Sequence, residues 1–129
     1  MMEAGKRHGL LIRAVETYGQ AAQMDMAVEE MAELTKALCK VKRAAPGPET
    51  TAAVSNVFEE IADAQIMLDQ LRIIFGGSTL DIEEAKLMRL KGRLDLHDKP
   101  GAGESSGEGG WRGAMLRTFL SRPGGEGHD

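Results

Sequence analysis

Apolar residues recur along this chain at three- and four-residue intervals, the period of a helix with one face turned inward. Over residues 10–18 the positions Leu11, Ala14, Val15 and Tyr18 trace such a face, and Gly19 predicts a stop. Residues 1–9 are polar and mixed and read as a ragged start. A second helix is expected over 20–43, with Met24, Ala27, Val28, Met31, Leu34, Leu38 and Val41 on its apolar face. It closes on Lys40, Lys42 and Arg43, cations that suit the negative end of a helix dipole. Pro46-Gly47-Pro48 predicts a loop over 44–51. The third helix, expected over 52–75, is the most apolar, with a narrow polar strip near Gln65, Asp69 and Arg72. A helix of that kind needs neighbours on most sides, inside a bundle or at a dimer interface. Gly76-Gly77-Ser78 ends it. A fourth helix follows over 79–94 with Leu80, Ile82, Leu87, Leu90 and Leu94 repeating, and Asp81 and Glu84 are spaced like a capping box.

The pattern then lapses. Gly and Ser dominate 100–110 and again 123–129, and such a stretch buries too little to offset its ordering entropy. The short amphipathic segment between them, centred on Trp111 and Phe119, reads as mostly disordered or transiently docked. The expected organisation is one helical domain over 1–95 and a flexible tail over 96–129. With 129 residues in all, the chain has room for one core. Three Phe, one Tyr and one Trp against eight Met agree with an all-α fold, a small four-helix bundle that gains from pairing with a second copy. A net charge of −4 argues against nucleic acid as a general partner. The single cysteine, Cys39, excludes an internal disulfide framework or a cysteine-type zinc site, and it reads as structural. No apolar run approaches the ~18 residues of a membrane span, and no secretory pattern opens the chain, so the expected compartment is the cytoplasm.

Two matching acidic stretches carry the candidate chemistry: Glu29-Glu30-Met31-Ala32-Glu33 and Glu59-Glu60-Ile61-Ala62-Asp63. Positions three apart share a helical face, so Glu30 and Glu33 point one way on the second helix, and Glu60 and Asp63 on the third. Walking each stripe by threes and fours meets Met26 and Ala37 on the second helix, and Met67 and Ile74 on the third. Glu30 and Glu60 find Leu34 and Ala64, not a cation, four residues on. Carboxylates packed without basic partners take up protons or bind metal. An all-oxygen set suits Mg²⁺, with Mn²⁺ as the close substitute. A di-iron bundle needs Glu-x-x-His, and His8, His97 and His128 all lie outside the acidic helices. Phosphate-cradling Gly-rich motifs are lacking.

The order Glu29-Glu30-x-x-Glu33, a spacer of 26 residues, then Glu60-x-x-Asp63 resembles the signature of the MazG-type all-α nucleoside triphosphate pyrophosphohydrolases. The resemblance covers roughly residues 10–94. It implies a helical dimer, or a larger assembly of dimers such as a tetramer, that cleaves (d)NTPs to a nucleoside monophosphate and pyrophosphate as nucleotide-pool house-cleaning. It makes Glu30, Glu33, Glu60 and Asp63 the Mg²⁺ ligands and Glu29 a further acid that helps position the attacking water. Lys86 and Arg89 fit the outline of the family's basic pair, facing the leaving pyrophosphate, or else form a solvated strip. This chain has Glu83, Glu84 and Ala85 where many relatives place an Asn before that pair. Asn56 either reaches a base or sugar or caps the third helix. A dUTPase- or dCTPase-like member of the same superfamily is the alternative enzyme, and a non-catalytic helical adaptor dimer the alternative of another class.

Overall fold

The structure, a computed structural model, describes residues 1–98. The described residues form four helices and no strand: α1 (Ala4–Tyr18), α2 (Gln20–Arg43), α3 (Pro48–Phe75) and α4 (Leu80–His97). The Gly/Ser-rich tail and its Trp111 segment lie outside the described residues. The chain divides after Ala85 into two units, Met1–Ala85 and Lys86–Asp129.

In the first unit α2 and α3 make the main contact and α1 lies against both. Residues 44–47 join α2 to α3, too short a link for anything but antiparallel neighbours. The buried side chains are Leu11 and Val15 of α1, Gln23, Ala27, Ala37 and Val41 of α2, and Val54, Ala64, Met67 and Gln70 of α3. On α2 the seam runs Gln23, Ala27, Glu30, Leu34, Ala37, Val41 at alternating intervals of four and three, the spacing by which one helix keeps a line of contact along another. The buried line is therefore rotated from the apolar face expected for this helix: Met24, Val28 and Leu38 are exposed, while Gln23, Glu30 and Ala37 are turned inward. On α3 the matching line runs Val57, Glu60, Ala64, Met67, Gln70 and Ile74. Phe75 and Ile61 stay exposed, so α3 is not enclosed within this one chain.

Three helix boundaries differ from the sequence expectation. α1 opens at Ala4, within the stretch read as ragged, because Arg7 makes an ion pair with Asp69 of α3 and ties a polar turn that apolar periodicity does not reveal. α3 opens at Pro48, inside the expected loop. Proline is well suited to a first helical turn, where its missing N–H leaves no bond unmade, and Glu49 beside it favours the positive end of the dipole. α4 runs on to His97, and its start is held by another set of residues than Asp81 and Glu84. Thr79 Oγ1 donates to Glu83 Oε2 at 2.6 Å and accepts from Arg72 Nε at 2.8 Å, while the Leu80 N–H donates to Ser78 Oγ.

The stops at Gly19 and Gly76 follow the sequence. Gly76 has φ 67° and ψ 40°, the left-handed conformation that closes a helix. Its N–H reaches the Ile73 carbonyl and that of Gly77 reaches Arg72. Gly19, at φ 89°, breaks α1 from α2 in a single residue. No residue of α4 is buried.

Candidate metal-binding carboxylate site

Glu30, Glu60 and Asp63 each offer a carboxylate oxygen within 4.8 Å of the others. Glu60 and Asp63 meet because they stand three apart on α3. Glu30 joins them because it occupies a seam position of α2, where an apolar side chain is the ordinary occupant. Glu30 and Glu60 are half-buried and Asp63 is exposed, so the group sits at the margin of the α2–α3 contact. The ion pairs of the described residues are Arg7–Asp69, Arg72–Asp69, Lys91–Asp95 and His97–Asp98, and they leave this group without a cation. Partial burial, then the charges of Asp63, Glu60, Glu29 and Glu33, push the Glu30 carboxyl above its ordinary pKa.

The donor set fits a hard divalent ion. Mg²⁺ holds oxygens at about 2.1 Å in an octahedron, which places adjacent ligands about 3.0 Å and opposite ones about 4.2 Å apart. Oxygens within 4.8 Å of one another would draw closer around an ion, and three carboxylates leave positions for water or phosphate oxygens. What the set can do is concentrate negative charge at one point, which a divalent ion would neutralise.

Of the other residues picked out in the sequence, Glu33 is exposed and lies outside the triad, although its charge reaches Glu30. Glu29 is exposed and does the same. Asn56 is half-buried in the interior of α3, whose N-cap is Gly47, so the capping role considered for it is ruled out. Lys86 and Arg89 are exposed on the part of α4 that belongs to the second unit. Cys39 is an exposed free thiol, not a packed one.

Sequence reasoning missed two pairs. Gln23 Nε2 donates to Gln70 Oε1 at 2.7 Å with both residues buried. Arg7 and Arg72 both hold Asp69, the latter at 2.9 Å. Partial burial works against the Asp69 charge, but the Arg7 hydrogen bond and charge, with help from Gln65 and Arg72, bring its pKa below the ordinary value. The alternating four-three walk along α2 starts at Gln23, and that was the available signal for the first pair.

No protein-family model, curated protein or solved structure matches this chain. No helix of the described residues is long and apolar enough to cross a membrane.

Proposed function

We propose that this chain is a Mg²⁺-dependent nucleoside triphosphate pyrophosphohydrolase of the MazG type, acting as a homodimer or larger assembly. The observation that carries the reading is the convergence of Glu30, Glu60 and Asp63 without a compensating cation. Among these carboxylates the crowding is felt at Glu30, whose carboxyl is pushed above its ordinary pKa, and a bound ion would relieve it. The order of the acidic motifs supplies the family and the substrate class.

In this reading Glu30, Glu60 and Asp63 would hold the ion, with Glu33 as the fourth carboxylate that the resemblance assigns to it. The bound ion would neutralise phosphate charge and lower the pKa of a coordinated water. Glu29 orients the water that attacks the α-phosphorus. The new P–O bond forms as the α–β bridge breaks, giving nucleoside monophosphate and pyrophosphate. The resemblance assigns Lys86 and Arg89 to the pyrophosphate and Asn56 to the nucleoside. A dUTPase- or dCTPase-like preference is a narrower form of the same proposal. The adaptor reading draws on α4, whose Leu80, Leu87 and Leu94 are all exposed.

Pyrophosphate release from a panel of dNTPs with Mg²⁺ decides between them. Turnover should fall by more than about 100-fold in Glu30→Gln and in Asp63→Asn, exceeding the effect common for residues that only support a ligand. Glu33→Gln should lose less. Wild-type protein that hydrolyses none of the panel, or variants that keep full activity, would remove the enzyme reading and leave the adaptor.

A further inference from the structure

The buried polar side chains of the described residues are Gln23, 7% exposed, and Gln70, 4% exposed, and they bond to each other. Both stand at the α2–α3 contact, where the buried neighbours Ala27, Ala37 and Ala64 are small. Small residues let two helices approach closely, yet they distinguish poorly between registers one helical turn apart. A buried amide pair does distinguish them, because a shift of one turn, about 5 Å, separates the amides and strands each against apolar surface. Buried polar groups are best attested in this role, setting register at a helical interface.

Gln23 lies seven residues before Glu30 on α2, and Gln70 lies seven residues after Asp63 on α3. On antiparallel helices these offsets match. The amide pair and the carboxylates are therefore two levels of one contact, about 10 Å apart along both axes, joined by continuous helix. Any axial slip at the first level appears undiminished at the second. Thr50 Oγ1 donates to the Ala45 carbonyl at 2.6 Å and Thr51 Oγ1 to that of Gly47 at 3.3 Å, exposed hydrogen bonds that a slip would exchange for water, so the connection does not forbid it.

We infer that the Gln23–Gln70 hydrogen bond is a register lock, and that both glutamines are positioning residues that hold Glu30 level with Glu60 and Asp63. The consequence for metal binding rests on the proposed function; the register itself does not.

The test uses the full chain with spin labels on the native Cys39 and on Leu68→Cys, both exposed and about 20 Å apart along the helix axes, diluted with unlabelled chains so that distances are intrachain. The parent should give one narrow distance. Gln23→Leu/Gln70→Leu, which removes both amides together, should stay helical and give a broadened or second population displaced by about 5 Å. Gln70→Asn, whose amide is one methylene too short, should do the same and serves if the double variant does not fold. Mn²⁺ affinity of the unlabelled variants should drop about 10-fold. One unchanged narrow distance in the variants overturns the lock, whatever the metal does. Absence of Mn²⁺ binding in the parent strikes the proposed function instead, and the distances still decide the register.

Discussion

Glu30 is the residue on which stability and the proposed chemistry pull in opposite directions. Its folded-state pKa is raised above the ordinary 4.5, first by partial burial and then by Asp63 and Glu60. Above both pKa values the folded state carries a charge that it disfavours. As pH falls through the raised pKa the folded state takes the proton first, so the cost is relieved on the acid side. Glu30→Gln should therefore raise the metal-free unfolding midpoint at pH 7, with the gain shrinking toward pH 4, as thermal melts at the two pH values would show. A lower midpoint at pH 7 would mean that the carboxylates are not crowded. Asp69 has the opposite sign: its pKa is lowered, so its contribution is present above its ordinary 3.8 and lost as pH falls through the lowered value. The triad was legible in the sequence because the spacing of Glu60 and Asp63 is local and the helical walk turned Glu30 inward. Gln23 and Arg7 were not, since each acquires its meaning from a partner, Gln70 or Asp69, that only the folded chain brings near.

At the scale of the element, α2 was read with its observed bounds, because Gly19 breaks the chain and the basic run that closes on Arg43 ends it. The phase of its inner face was harder to read. Its apolar residues occupy two adjoining stripes, and hydrophobicity alone does not say which stripe meets α3. The buried stripe is the one with small residues, since alanine permits the closest approach of two helices. Ala37, 1% exposed, is the tightest position. Ala37→Leu should cost about 1–3 kcal/mol by overpacking, measured by urea unfolding, although leucine is the more apolar side chain. A gain in stability would place Ala37 at a looser contact than the structure gives. The start of α3 was misread for a related reason: proline signals a break in a helix interior and a beginning in its first turn, and only position separates the two.

The described residues cover few of their large side chains. Leu11, Val15, Val41, Val54 and Met67 are buried, while Met24, Val28, Leu38, Ile61 and Leu68 are exposed on α2 and α3. Three helices with so small a core are marginal by themselves. The exposed stripes support the proposed self-association, which light scattering should register as twice the chain mass of 13.9 kDa, or a higher multiple, at micromolar concentration. A mass equal to one chain would withdraw that part of the proposal. The helical class and the order of elements were legible because each segment keeps one period over many residues. The role of Lys86 and Arg89 was not, because exposed cations look alike in sequence whether they meet phosphate or water.

The hairpin of α2 and α3 has one more implication. All three oxygen donors belong to the same chain and are separated by a link of four residues, 44–47. Their meeting is thus an event within one chain, set by closure of the hairpin and not by residues of a second copy. In the proposed function, association would govern how substrate is gripped, while the carboxylates for the ion all come from a single hairpin.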